Sequence, residues 1–121
     1  MAEKTNPILK IYHNPRCRKS REGLSYLQTK SNSFKIVEYL KSGLTEEFLN
    51  EIILKSNLKP KDLVRTQEEL YKKELKGKHF TDEEWIKIII ENPVLLQRPI
   101  VVGKLKAVLA QPAEEIDKIL K

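Results

Sequence analysis

The run Ile8-Leu9-Lys10-Ile11-Tyr12, followed by His13-Asn14-Pro15-Arg16-Cys17-Arg18-Lys19-Ser20-Arg21, decides the fold. The apolar piece predicts a strand, and Asn14-Pro15 marks a turn. Beyond the turn, Arg21, Gly23, Leu24 and Leu27 predict a helix with Leu24 and Leu27 on one face. The only cysteine of the chain, Cys17, is therefore expected at a strand-to-helix junction, in the first helical turn. Free backbone N–H groups and the positive end of the helix dipole favour a negative group there. Arg16, Arg18, Lys19 and Arg21 all lie within four positions of it. Both influences favour the thiolate, which is the nucleophilic form. An inert buried cysteine would need an apolar setting, and this one is cationic.

Working outward, 121 residues make residues 1–121 a single expected domain, long enough to bury a core without metal or disulfides. One cysteine excludes an internal disulfide framework. The opening residues, Met1 to Pro7, lack the apolar stretch of a signal peptide. No run has the length of a membrane span. A cytoplasmic protein with no membrane association is expected. The net charge of +6 raises a nucleic-acid hypothesis, but basic and acidic residues alternate, as in Glu68-Glu69-Leu70-Tyr71-Lys72-Lys73-Glu74. That pattern belongs to solvated helix surfaces, and aromatic residues do not interleave with the basic ones. No nucleic-acid partner is expected. The dense basic cluster surrounds Cys17, which points to a small anionic substrate or an anionic thiol partner. There is no Cys/His metal spacing and no phosphate-cradling glycine loop.

Phe34 to Leu40 has the β-branched and aromatic content of a second strand, broken at Ser42-Gly43. Thr45 caps a helix with Phe48, Leu49, Ile52 and Ile53 on its apolar face. Between Lys59 and Phe80 the chain is polar and helix-prone, around Asp62–Arg65 and Glu68–Leu75, ending at Gly77. Thr81 and Glu84 form a capping box for a helix carrying Trp85, Ile86, Ile89 and Ile90, which Pro93 stops. Ile100-Val101-Val102 and Ala107-Val108-Leu109 predict a hairpin. A last helix follows Pro112, with Ile116, Ile119 and Leu120 inward. The order predicts an α/β fold with a parallel β-α-β pair, a helical insertion in mid-chain and an antiparallel hairpin. Together these make a mixed four-stranded sheet flanked by helices, with Cys17 at the carboxyl end of the first strand.

This layout resembles the arsenate reductase family of thioredoxin-like fold, coupled to glutathione and glutaredoxin. His13, Cys17 and Arg21 match its H-x3-C-x3-R signature, and Arg98-Pro99-Ile100-Val101-Val102 matches its RPIVV segment. Thr81-Asp82-Glu83, before a helix ending at Asn92-Pro93, fits as well. The resemblance implies a cysteine that attacks arsenate, with glutathione as co-substrate, glutaredoxin as the resolving partner and no bound cofactor. It implies that Arg65 and Arg98 bind the oxyanion. It places His13 near the thiolate, helping to lower its pKa, and makes the Arg98-Pro99 bond cis.

Two positions depart from the family. Gln111, before Pro112, stands where a third arginine is expected, and can donate a hydrogen bond but brings no charge. Arg18, directly after the cysteine, adds a bulky cation where the family keeps a small residue. These departures leave the substrate open, and a different thiol-reactive species is an alternative. His13 reads equally as an acid or base and as a structural donor. Ser20 can donate to the thiolate or bond locally to backbone. A second relative of this fold, the Spx-type regulator of transcription, is the alternative in another class. Its C-x-x-C switch is missing, because Asn14 and Ser20 occupy the flanking positions.

Overall fold

The computed structural model describes residues 9–120. Strand β1 (Leu9–Tyr12) leads through a turn to helix α1 (Arg18–Lys30) and back to strand β2 (Phe34–Val37). The expected start of β1 at Ile8 and the absence of a leader in residues 1–7 lie outside the described residues. Strands β1 and β2 pair in parallel, with Tyr12 opposite Val37. Strand β3 (Ile100–Val102) runs antiparallel to β1, and strand β4 (Ala107–Leu109) antiparallel to β3. The order across the sheet is β2-β1-β3-β4. This is the mixed, helix-flanked, thioredoxin-like sheet anticipated above.

Side chains alternate across a strand, and the core divides accordingly. Ile11 and Val101 join Leu27 of α1, Ala110 and Ile116 on one face of the sheet. Tyr12, Ile100, Val102 and Ala107 face the larger cluster on the other side. That cluster contains Phe48, Leu49 and Ile52 of helix α3 and Trp85 and Ile89 of helix α4. Helix α3 (Glu46–Ser56) begins where the Thr45 hydroxyl accepts the Phe48 N–H. Helix α4 (Asp82–Glu91) begins with the reciprocal Thr81–Glu84 capping box.

Three expectations are corrected. Strand β2 stops at Val37 instead of continuing to Leu40, because its partner β1 ends at Tyr12. The chain then makes a one-turn helix α2 (Tyr39–Ser42), numbered before α3, that buries Tyr39. The mid-chain insertion forms short turns with no regular α-helix: a 3-10 turn at Pro60–Leu63 and a π turn at Tyr71–Leu75. Pro60 opens the first of these and Leu63 anchors it in the core, while Tyr71 and Leu75 of the second are only partly buried, so neither turn has enough buried apolar residues to extend it. Last, Ala113–Ile119 is 3-10, burying Ile116 but leaving Leu120 exposed.

Candidate active site

Because β1 and β3 are antiparallel neighbours, the end of β1 and the start of β3 meet at one end of the sheet. The first leads to Cys17 and the second is preceded by Arg98-Pro99. The Arg98-Pro99 and Gln111-Pro112 bonds are both cis. Helix α1 lies close against this loop: a Cβ on Gly23 would collide with Cγ of Pro99.

Cys17 is the N-cap residue of α1, one position before the first helical turn where it was expected. The Asn14 carbonyl accepts the Cys17 N–H at 3.0 Å, and Asn14 Oδ1 accepts the Arg16 N–H at 3.0 Å. Buried Asn14 thus shapes the turn that delivers the half-exposed sulfur. No capping hydrogen bond closes at Sγ, yet the free N–H groups at the start of α1 act on it. Burial pushes the thiol pKa up. The Ser20 N–H, the Arg98 guanidinium and the Lys19 N–H outweigh that and hold it below the ordinary cysteine value.

The source of the cationic help differs from the sequence expectation. Arg18 pairs with Glu22 at 3.3 Å on the surface, and Arg21 Nη1 donates to the Pro15 carbonyl at 3.0 Å. Neither is among the leading influences on the thiol. Arg98, 81 positions away in sequence, is. A guanidinium that folding brings to the sulfur acts more strongly than flexible neighbours screened by water.

His13 is buried, with Nδ1 2.7 Å from the Ser20 hydroxyl. Burial lowers its pKa, with Arg21 adding to that and Glu38 and Ser20 opposing it, so the ring is neutral at pH 7. A neutral ring brings no charge to the thiolate. The Ser20 Oγ also accepts the Asn14 N–H at 2.9 Å, so its hydroxyl is engaged with His13 and the loop. What Ser20 offers the sulfur is its backbone N–H.

Arg98 is nearly inaccessible. Its Nη1 donates to the carbonyls of Val94 (3.0 Å) and Leu96 (3.2 Å), while the buried Nε has no partner. Arg65 is brought alongside by backbone stitching. Val64 bridges Leu96, the Arg65 N–H donates to Leu95 at 2.6 Å, and the Gln97 N–H donates to Leu63 at 2.8 Å. Gln111 is spent on backbone: its Nε2 donates to the Arg98 carbonyl at 2.6 Å. It ties the loop before Pro112 to the arginine loop. Beside Lys19 a cavity of about 430 Å³ opens, lined also by Glu22, Ala110, Gln111 and Pro112.

Two residues of this neighbourhood escaped the sequence reading. Tyr39 is fully buried, its hydroxyl has no partner, and burial pushes its pKa up to about 12. Arg98, Cys17 and Arg65 all act on it electrostatically, which locates it at the same cluster. Glu68 lies between the two arginines. Arg65 Nη1 donates to Glu68 Oε2, and Arg98 Nη2 is 3.9 Å from the same oxygen.

A cysteine at a helix N-cap, at the carboxyl end of β1 on a thioredoxin-like sheet and with its pKa lowered, is an arrangement suited to a thiol oxidoreductase of that fold. The ArsC family model matches residues 12–119. Arsenate reductase of Neisseria meningitidis serogroup A is 34% identical over 116 residues, spanning 94% of this chain and 99% of that protein. Arsenate reductase of Haemophilus influenzae is 37% identical over 112 residues, spanning 91% and 97%. The structure of arsenate reductase from Vibrio cholerae superposes with a TM-score of 0.86 at 32% identity, covering 95% of this chain and 99% of that one. The chain belongs to the ArsC family and is an oxidoreductase of the arsenate reductase type. Among the described residues no helix is long and apolar enough to cross a membrane, and no cluster of three or more His, Cys, Asp or Glu could hold a metal.

Proposed function

We propose that this protein reduces arsenate, with Cys17 as nucleophile and glutathione and glutaredoxin as external reductants. The observation that carries this is the Cys17 thiol at the N-cap of α1 with the Arg98 guanidinium acting on it. The thiolate attacks the pentavalent arsenic and an oxygen leaves as water, forming an S–As bond. A glutathione thiolate then attacks Sγ of Cys17, and the S–As bond breaks. The arsenic keeps that electron pair and departs as trivalent arsenite, while the two sulfurs are joined in a mixed disulfide. Glutaredoxin, by thiol exchange, takes the glutathionyl group and returns Cys17 to the thiolate. The second thiol comes from outside because Cys17 is the only cysteine of the chain.

Arg65 and Arg98 suit the oxyanion because guanidinium groups keep their charge and donate in a planar fork. The unpartnered Arg98 Nε and Tyr39 hydroxyl are buried donors that an oxyanion would satisfy. The recess beside Lys19, two positions from Cys17, has room for part of a thiol co-substrate. Arsenite production from arsenate, glutathione and glutaredoxin tests the proposal. Wild type should turn over and Cys17→Ser should not. Absence of turnover in the wild type would send the search to another thiol-reactive substrate.

A further inference from the structure

The positive charge expected to receive an oxyanion is already matched in part by the protein itself. Glu68 Oε2 accepts from Arg65 Nη1 and lies 3.9 Å from Arg98 Nη2. All three side chains are largely withdrawn from water, at 25% exposure for Arg65, 6% for Arg98 and 19% for Glu68. To a guanidinium, a carboxylate and a tetrahedral oxyanion are the same kind of acceptor. An arriving anion and the carboxylate cannot both hold these guanidinium groups without a like-charge contact in a poorly hydrated place.

Of these groups the carboxylate is the movable one. Arg65 is fixed by the Leu95 carbonyl and the Val64–Leu96 bridge, and Arg98 by the Val94 and Leu96 carbonyls. The Glu68 backbone is held as well, its N–H by the Arg65 carbonyl at 3.2 Å and its carbonyl by the Lys72 N–H at 3.1 Å, but its carboxylate has the two guanidinium groups as its partners among the described residues. The residues before and after it, Gln67 and Glu69, are exposed.

We propose that Glu68 sets the anion affinity of this site, its carboxylate standing in for the ligand on Arg65 and Arg98 until a tetrahedral oxyanion displaces it. This rests on the oxyanion site proposed above. A dianion offers more charge and more acceptors than the carboxylate it replaces, whereas a monoanion offers no advantage. Displacing Glu68 costs every anion alike, so the carboxylate lowers all affinities by a common factor and sets a higher arsenate concentration for half-saturation.

The test compares Cys17→Ser with Cys17→Ser/Glu68→Gln and Cys17→Ser/Glu68→Ala by calorimetric titration with arsenate, sulfate and acetate. Nothing reacts in these proteins, so dissociation constants are read directly. Both Glu68 substitutions should tighten arsenate and sulfate at least about tenfold, a difference of about 1.4 kcal/mol. Acetate should gain by a similar factor, because each anion is relieved of displacing the same carboxylate. With Cys17 intact, Glu68→Gln should lower KM for arsenate and leave kcat within about twofold, the split expected for binding that is uniform along the reaction.

The proposal is overturned if folded Glu68 variants bind sulfate no more tightly than the parent while Arg65→Ala still abolishes binding. In that case the oxyanion site stands and only the role of Glu68 falls. If neither parent nor variants bind arsenate or sulfate, the oxyanion site and the role of Glu68 fall together.

Discussion

At Cys17 two opposing influences meet. Burial penalises the thiolate, while the N–H groups of Ser20 and Lys19 and the guanidinium of Arg98 favour it and prevail. Arg98→Met should therefore raise the pH midpoint of iodoacetamide alkylation, whereas Arg18→Ala should leave it unchanged. Equal shifts from the two substitutions would restore the weight given to the local cations. His13 carries a separate pH signature. Its folded pKa is lowered by burial, so below about 6.5 the unfolded chain takes up a proton that the native ring resists. Stability should decline as pH falls from that value and level off below the native pKa. His13→Asn should flatten that part of the curve in urea denaturation measured across pH. Tyr39 has a buried hydroxyl without a partner, and such a group costs about 1–3 kcal/mol. Tyr39→Phe should then be no less stable than wild type in denaturant, yet show a raised KM for arsenate. A marked loss of stability would mean that the hydroxyl is bonded within the fold. Cys17 was legible because its type and setting are chemically unusual, and Arg98 only through the family resemblance carried by Arg98-Pro99-Ile100-Val101-Val102. Glu68 was not: in Gln67-Glu68-Glu69 it looks like any solvated helix glutamate, and only the distant Val64–Leu96 bridge brings its partners together.

The elements around the site are held by backbone proximity as much as by side-chain burial. Gly23 shows this most directly, because α1 approaches Pro99 too closely for a methyl group. Alanine is the better helix former by about 1 kcal/mol. Gly23→Ala should nevertheless destabilise, by about 1–3 kcal/mol of overpacking, and should lower arsenate turnover by displacing Pro99 and Arg98. Thermal denaturation and kinetics on the same variant would show it, and a stabilised, fully active protein would contradict the close approach. The elements that periodicity made legible are α1, α3, α4 and the β3–β4 hairpin, each with an apolar face and a cap or breaker in the sequence. Beyond Val37 the residues kept a strand-like composition, but no partner strand remained for them to pair with. Composition records propensity, and tertiary pairing decides where a strand ends.

For the molecule as a whole, the antiparallel pairing of β1 and β3 assembles the cleft from segments far apart in the chain. The turn after β1 supplies the sulfur, the loop before β3 supplies Arg98, and the mid-chain insertion supplies Arg65 and Glu68. Of these contributions the insertion was the least legible, since its polar residues carry no periodic apolar face. Its attachment to the chain before β3 has a further consequence. Backbone bonds from Arg65 to Leu95 and from Gln97 to Leu63 tie the two arginine-bearing segments side by side. The two backbones are thereby set like the arms of a caliper, so that a visitor to the proposed oxyanion site would be gauged by its diameter as well as by its charge.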